Sequence, residues 1–360
     1  QSDFSVAMAA AGRTLRAFVA ATLAFCLLDS AARAFVAGVS RRPARYAAPL
    51  RGAAAVAPLR RQPPLRGGVV ARRVALDEKE LAMLIEAAAQ GDPGSQFLLG
   101  MEYIEGLNVE RNLLQAGEWF RKAADQGLPQ AQYNLGMMLL AGEGVAAVDE
   151  KEGVAMLDRA AMTGEAMAQY FLGMMYLQAN IVEQDMDRAM ELLNAAAEQG
   201  ISDAQYTIGS LLLDTPAEAT EEKKWAAHWL NKAAEQQDIR AQFSIGKMFL
   251  YGIGMEKDAA KASNWVSVAA SAGQKDAQYT MGSMLLAGIG VDVNKEWAAH
   301  WFEQAAIQGQ VDAQYNLGLM LDSGDGVPKD KEKAQYWFKQ AADQGDESAA
   351  QTGAMVAAGV

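Results

Sequence analysis

The residues best suited to chemistry in this chain are its two histidines, His228 and His300. They occupy the same position in two units of a sequence repeat, within the matching segments Trp225-Ala-Ala-His-Trp229 and Trp297-Ala-Ala-His-Trp301. Neighbouring packed helices lie about 8–10 Å apart, so we expect the two imidazoles to be about 20 Å from one another. Because metal–nitrogen bonds are about 2 Å long, the pair is not predicted to share a metal ion. Duplication of a two-repeat block explains the match.

The other nucleophiles and acids form no catalytic pattern. Cys26, the single cysteine of the chain, lies within the segment predicted to be a secretory signal, so the mature protein would have no cysteine for disulfides, iron–sulfur clusters or thiol catalysis. The Gly-x-Gly segments follow predicted helices and lack the strand and spacing of a dinucleotide-binding fingerprint. Aspartate and glutamate are scattered over helix faces. The sequence therefore predicts no catalytic, cofactor-binding or metal-binding residue, and we expect a protein without enzymatic activity.

Most of the chain repeats with a period of 36 or 37 residues. A glycine marks the same position in every copy: Gly100, Gly136, Gly173, Gly209, Gly246, Gly282 and Gly318. A fixed period in this range is typical of a solenoid, in which one small unit is stacked many times. Such an array has a long side surface, which favours binding as its function.

The clearest copy, residues 313–345, indicates a hairpin of two helices. Apolar residues recur at helical spacing in both halves, at Ala313, Leu317, Met320 and Leu321 and again at Ala334, Trp337, Phe338, Ala341 and Ala342. Between them, Gly324-x-Gly326 is predicted to end the first helix, because glycine reaches positive φ at little cost. Asp330 suits the start of the second helix. Each copy is therefore predicted to be a helix–turn–helix unit.

Two rows of side chains in the second helices predict how the hairpins pack. An alanine pair, which lets neighbouring helices approach closely, recurs at Ala123-Ala124, Ala160-Ala161, Ala196-Ala197, Ala233-Ala234, Ala269-Ala270 and Ala305-Ala306. A bulky apolar residue stands four positions before each of these pairs and before Ala341-Ala342 of the clearest copy, and it is expected to fill the gap between hairpins: Trp119, Met156, Leu192, Trp229, Trp265, Trp301 and Trp337.

This pattern of Leu-Gly, Gly-x-Gly-Val, Lys-Ala, Trp, Ala-Ala and Gly resembles the Sel-one-like repeat (SLR) family, a branch of the tetratricopeptide-like helical repeats. The resemblance covers about residues 77–345, with one additional second helix at 77–90 followed by seven repeats at about 92–345 and a partial helix at 346–360. It implies an all-α fold, a right-handed α-solenoid of about seven helix–turn–helix units. Residues 179–181 and 215–217 replace the Gly-x-Gly turn, and Gln237 replaces a closing glycine, so these loops depart from the pattern.

The resemblance also implies functions. It favours a non-catalytic adaptor or scaffold that supports the assembly, stability or quality control of a multi-protein complex. An adaptor of endoplasmic-reticulum protein degradation is a second interpretation. A third is a secreted hydrolase or a binding protein for ligands similar to peptidoglycan.

Residues 1–76 differ from the rest of the chain and are expected to be a removable or disordered leader. From Met8 they read as a secretory signal, with Arg13 and Arg16 before the apolar run 17–28 and an A-x-A cleavage site at 32–34. Residues 35–75 follow with nine arginines and no acidic residue. This order resembles the bipartite plastid-targeting leaders of algae with secondary plastids, and it predicts a plastid location. A basic linker in a secreted or endoplasmic-reticulum protein is the alternative.

Charge restricts the partners. Residues 77–360 contain 20 basic and 42 acidic residues, a formal charge of −22. This charge repels phosphate, so nucleic acid is not expected to bind. The apolar run of the leader is too short to cross a bilayer. We expect protein partners without a direct membrane span, for example subunits of pigment–protein or other membrane complexes.

Positions that vary between repeats predict where a partner binds. Two such positions in the first helices are three residues apart and share one helix face. Their apolar members gather in the first three repeats: Leu98, Met101, Met137, Phe171 and Met174. Methionines on an exposed face would suit a protein ligand, although an N-terminal cap or the next helix is an equally good cover for them. Trp225 and Trp297 stand at a second-helix position that is otherwise polar, where they are either exposed anchors or packed against the adjacent loop.

Overall fold

Helices account for all the regular structure of the described residues, which in this computed structural model are 76–179, 181–216 and 220–358. The leader predicted at residues 1–76 lies almost entirely outside them. The chain forms two compact units that are divided between Ala204 and Gln205. No strand occurs in the described part of the chain. Its helices are α1 (Glu78–Ala89), α2 (Pro93–Glu105), α3 (Leu113–Asp125), α4 (Pro129–Ala141), α5 (Glu150–Met162), α6 (Ala166–Gln178), α7 (Met186–Glu198), α8 (Ser202–Leu213), α9 (Thr220–Glu235), α10 (Ile239–Tyr251), α11 (Ala259–Ser271), α12 (Lys275–Ala287), α13 (Lys295–Ile307), α14 (Val311–Ser323), α15 (Lys331–Ala342) and α16 (Glu347–Ala358).

The helices pair as the repeat predicts. Each of the seven repeats has a first helix, α2 in repeat 1 and α14 in repeat 7, and a second helix, α3 in repeat 1 and α15 in repeat 7. The unpaired second helix predicted at 77–90 is α1, and the partial helix predicted at 346–360 is α16. The alanine pairs of the second helices are buried in repeats 1 to 6, as at Ala305 and Ala306, which are at most 1% exposed.

The Gly-x-Gly turn has two separate tasks. Gly324 ends α14 with a φ of 79°, and its N–H donates to the carbonyl of Met320. Gly326 lies against the preceding repeat, where a Cβ atom would come within 2.6 Å of the Lys295 backbone. The first glycine therefore closes a helix, while the second allows the turn to contact the start of α13. Asp330 then caps α15 by accepting from the Lys333 N–H at 3.0 Å, as predicted.

The departures from the pattern keep the fold by other means. Ala179 adopts a φ of 52° and Gln237 one of 67°, so both take the left-handed conformation that glycine has in the other repeats. In repeat 4 a lysine replaces the glycine turn. The Lys223 ammonium is buried and donates to the carbonyls of Leu213 and Thr215 at the end of α8, the latter at 2.6 Å. Desolvation lowers the pKa of Lys223.

The recurring glycine of the Leu-Gly pair makes the main packing contact of each hairpin, with an apolar side chain of the second helix. A Cβ atom on Gly282 would lie 2.8 Å from the ring of Phe302, and one on Gly318 would lie 2.7 Å from Phe338. The residue that rests on this glycine is fully buried in every repeat: Phe120, Leu157, Leu193, Leu230, Val266, Phe302 and Phe338. Any larger residue than glycine would push the two helices of the hairpin apart.

The burial of these residues corrects part of the prediction for the bulky row, whose members stand one residue earlier in the chain. Three members of that row, Met156, Leu192 and Trp229, are buried as expected. The other four, Trp119, Trp265, Trp301 and Trp337, are only half-buried at the edge of the core. The residue after each of them fills the core, because its position on the helix points directly at the glycine of the partner helix.

A ladder of glutamine side chains connects successive repeats. In repeat 1, Gln96 is buried, donates to the Ala88 carbonyl of the preceding helix at 3.2 Å, and accepts from Gln126 at 2.8 Å. The Gln126 amide also donates to the Gly91 carbonyl at 3.0 Å. The same bonds recur in repeat 6, where Gln278 takes the place of Gln96 and Gln308 that of Gln126. Buried amides are thus satisfied across the junction.

Repeat 2 breaks this ladder. Thr163 stands where repeats 1, 3, 4, 6 and 7 have the donating glutamine, and its hydroxyl donates to the Ala160 carbonyl of its own helix at 2.8 Å. Repeat 5 also lacks the glutamine and has Ala272 at this position. The buried Oε1 of Gln132, which would accept the missing bond, has no hydrogen-bond partner. A buried acceptor without a donor lowers stability.

We expect Phe302→Ala to lower the free energy of unfolding by about 3–5 kcal/mol, because it leaves a cavity where the phenyl ring packs on Gly282. Trp301→Ala, the neighbouring change, should cost clearly less because this indole is half-buried. Urea unfolding followed by circular dichroism measures both. An equal or larger loss for Trp301→Ala would contradict the assignment of the core position.

We expect Thr163→Gln to raise the free energy of unfolding by about 0.5–1.5 kcal/mol, because its amide can donate to Gln132 Oε1. Thr163→Met is the matched control, since methionine has a similar length and no donor. Thermal unfolding of the three proteins tests the ladder. A gain of equal size in the methionine variant would show that chain length, and not the hydrogen bond, is responsible.

Candidate protein-binding surfaces

The first-helix face predicted to bind a partner is only partly open to water. Leu98 on α2 is 39% exposed and has the most open of the five predicted side chains. Met101, Met137, Phe171 and Met174 are half-buried. The methionines one position further along the helix, such as Met138 and Met175, belong to the core.

Packing explains the half-burial. Met101 lies against the core cluster that contains Phe120, and Met137 lies against the next cluster, which contains Leu157. The ring of Phe171 stacks on Tyr133 of the preceding repeat, with 5.9 Å between centroids. Neighbouring helices therefore cover one side of these residues and leave the other side accessible.

Burial also changes the acid–base properties near this face. Desolvation raises the pKa of the Tyr133 hydroxyl far above its ordinary value, and the nearby Glu165 carboxylate adds to the effect. Desolvation raises the pKa of Glu165 as well, against the hydrogen bond that it accepts from the Ala168 N–H at the start of α6. At neutral pH Tyr133 is a neutral aromatic platform for Phe171.

The two predicted tryptophan anchors differ in exposure. Trp297 is 55% exposed, whereas Trp225 is half-buried. Each indole contacts the histidine three residues later edge to face, with centroid distances of 5.3 Å to His300 and 5.5 Å to His228. Desolvation lowers the pKa of His228. The histidines therefore orient aromatic side chains on the second helices.

The neighbouring repeat explains why Trp297 is uncovered. At its position in repeat 2, Glu152 pairs with Arg121 of the preceding repeat at 2.5 Å. In repeat 3, Arg188 lies 3.8 Å from Asp158 of the preceding repeat. Before Trp297, the corresponding residue is Ser267, whose hydroxyl donates to the Asn264 carbonyl of its own helix. Val268 beside it is 48% exposed, so an apolar surface remains where repeats 2 and 3 have an ion pair.

Comparison with known proteins identifies the repeat. The family model of the Sel1 repeat matches residues 93–128, 129–164, 166–201, 220–238, 239–274, 275–310 and 311–346. The chain belongs to the Sel1 repeat family. In repeat 4 the match covers only the second helix and its end, where the turn departs from the pattern.

Solved Sel1 repeat structures have the same fold. A protective antigen of uropathogenic Escherichia coli with an SLR fold is 32% identical, with a TM-score of 0.67, over 75% of this chain and 57% of that chain. A Sel1 repeat protein from Oxalobacter formigenes is 33% identical, with a TM-score of 0.57, over 76% of this chain and 78% of that chain. The fold is therefore an α-solenoid. Sel1 repeat proteins generally mediate contacts between proteins and are typically non-catalytic scaffolds.

A curated relative gives a shorter match. A sel1-like repeat-containing protein of Acanthamoeba polyphaga mimivirus is 28% identical over 137 residues, which are 38% of this chain and 24% of the relative. The Sel1 repeat chain thus spans about a quarter of that relative and somewhat more than half of the E. coli antigen.

The acidic residues and helices of the Sel1 repeat fold bear on metal and membrane binding. Among the described residues, no group of three or more His, Cys, Asp or Glu side chains is arranged to hold a metal ion. None of the helices in the described part combines the length and the apolar character that a membrane crossing requires.

The sequence reasoning missed one exposed aromatic residue of the second helices. Tyr336 on α15 is 54% exposed and occupies the repeat position that His300 has in repeat 6. The signal was present, because an aromatic residue at a position that is polar in most repeats is the criterion that selected Trp225 and Trp297. Applied to every second-helix position, the criterion finds Tyr336 too.

Proposed function

We propose that this Sel1 repeat protein is a non-catalytic scaffold that binds partner proteins and supports the assembly, stability or quality control of a multi-protein complex. The proposed setting is a plastid. Subunits of pigment–protein or other membrane complexes are the proposed partners.

The observation that carries the scaffold role is the exposure of Trp297. More than half of this indole lies in water, on a second helix whose core-facing side is already filled by Phe302. A large apolar side chain at such a position adds nothing to the stacking of the repeats. Tryptophan is strongly enriched among the residues that dominate binding energies at protein interfaces. His300 restricts the indole, which lowers the entropy lost on binding.

The support for a plastid setting comes from the leader sequence. Residues 35–75 have nine arginines and no acidic residue, and they follow a signal-like apolar run. This order is the basis of the proposed plastid location.

We expect Trp297→Ala to reduce capture of the native partners by about thirtyfold, the change that corresponds to a hot spot of about 2 kcal/mol. Lys261→Ala is the matched control, because Lys261 occupies the same position of repeat 5 and is exposed. Affinity purification from organelle extracts with quantitative mass spectrometry gives the readout. If Trp297→Ala and Leu98→Glu both retain the full partner set, the proposed binding role of these surfaces is wrong.

We expect residues 8–80 fused to a fluorescent protein to enter plastids of an alga with secondary plastids. Removal of residues 35–75 from the fusion should leave the protein in the endoplasmic reticulum, because only the signal-like part remains. Fluorescence microscopy distinguishes the two compartments. Retention of the complete fusion in the endoplasmic reticulum would favour the alternative location and leave the scaffold role unaffected.

A further inference from the structure

A lysine side chain covers a tryptophan ring in two of the repeats. In repeat 1 the Lys122 ammonium lies 3.6 Å from the centroid of the Trp119 ring, and in repeat 4 the Lys232 ammonium lies 4.8 Å from that of Trp229. In both repeats the lysine stands three residues after the tryptophan, on the same face of the second helix. The negative face of an indole attracts a cation at such distances. This face of the second helix can therefore hold a positive charge over a tryptophan.

The next three repeats keep the tryptophan and replace the lysine. Their tryptophans are Trp265, Trp301 and Trp337, and the residues three positions later are the uncharged Val268, Gln304 and Gln340. Across the described part of the chain, no lysine or arginine lies over any of these three rings. All three indoles are half-buried, so part of each remains accessible. The internal cation of repeats 1 and 4 is therefore missing from three consecutive repeats.

Charge separates repeats 5 and 6 from repeat 7. The single lysines of α11 and α13 are both ion-paired, with Asp258 at 3.3 Å and with Asp325 at 2.7 Å. Helix α13 also has two exposed glutamates. Helix α15 in repeat 7 has three lysines and one glutamate. An added cation is therefore favoured over the rings of Trp265 and Trp301, which we name the tryptophan pair, and disfavoured in repeat 7.

We propose that the tryptophan pair binds two arginines of an extended segment in a partner protein. Guanidinium groups stack on aromatic faces more often than ammonium groups do. The two rings stand at the same position of successive repeats, and neighbouring packed helices lie about 8–10 Å apart. In the polyproline II conformation, residues i and i+3 lie on one edge of the chain about 9 Å apart. The segment that fits the pair therefore has the pattern Arg-x-x-Arg. The inference rests on the proposed scaffold function and names the chemistry of one partner.

The surroundings of the tryptophan pair favour a narrow backbone. Trp297 precedes Trp301 by one helical turn and is 55% exposed, and Val268 follows Trp265 by nearly one turn and is 48% exposed. An α-helix is about 10–12 Å across with its side chains, so it would meet these projecting residues before its arginines reached the half-buried rings. An extended segment can lie between them and use their apolar surface as an additional contact.

The test uses the full chain and four labelled synthetic peptides. The first is rich in proline and has two arginines three residues apart. In the second the arginines are five residues apart, in the third uncharged citrulline replaces both, and the fourth is a helical peptide with arginines seven residues apart. We expect the first peptide to bind at least about tenfold more tightly than the others, because it alone places two cations at the spacing of the rings. Fluorescence anisotropy measures the affinities.

Installing the missing lysines locates the site. Val268→Lys combined with Gln304→Lys gives repeats 5 and 6 the internal cation of repeats 1 and 4, so it should weaken binding of the first peptide by about tenfold or more. Ser271→Lys combined with Ile307→Lys is the matched control, because it adds the same charge at exposed positions near the ends of the same helices. The comparison is made in high salt, where exposed charges are screened. Circular dichroism checks that both variants are folded. Equal weakening in the two variants would overturn the proposal.

Three other outcomes also decide against an arginine-bearing extended partner. Equal binding of the citrulline peptide would show that the cation is not recognised. Tighter binding of the helical peptide would assign the pair to a different ligand conformation. Binding that appears only after residues 35–75 are removed at an inserted protease site would make the chain's own arginine-rich segment the occupant.

The peptide measurement is independent of the test of the scaffold function. It uses purified protein and synthetic ligands, so a failure to bind them leaves the loss of native partners on Trp297→Ala unaffected. Conversely, an unchanged partner set in Trp297→Ala and Leu98→Glu would refute the proposed binding role of those surfaces, while the affinity of the first peptide for the unsubstituted protein would stay as measured.

Discussion

The fold depends on one contact, the apolar side chain of each second helix that rests on a glycine of the first helix. Because glycine has no side chain, the two helices approach closely enough for Phe302 or Phe338 to be fully buried. The alanine pairs allow a similarly close approach elsewhere on the second helices. Repetition of this contact gives hairpins of nearly constant geometry.

Stacking of the hairpins adds a polar constraint to the apolar one. The glutamine ladder fixes which carbonyl of one repeat meets which amide of the next, and the second glycine of the turn brings two backbones together at the same junction. Apolar packing tolerates small shifts, whereas buried amides do not. The ladder therefore sets the register of the array, and the variable surface positions are free to diverge.

The periodic glycines and alanines were sufficient to predict the helix pairs and their order, because those residues are determined by backbone proximity. Assigning the bulky row to Trp301 instead of Phe302 was an error of one residue, since both are large and apolar and only the crossing of the helices distinguishes them. The ladder was also missed, because a buried glutamine looks like a surface residue in a sequence. Half-burial of Met101 and Met137 depends on neighbouring repeats, which periodicity alone does not describe.

The hydrogen bond that is missing at Thr163 has a mechanical consequence. In a linear array every junction must resist separation by its own contacts, so the array yields at its weakest junction. With Gln132 Oε1 unbonded, the junction around repeat 2 lacks a link that repeats 1 and 6 possess. Tension along the repeats would therefore load the apolar contacts of this junction more heavily than those of repeats 1 and 6.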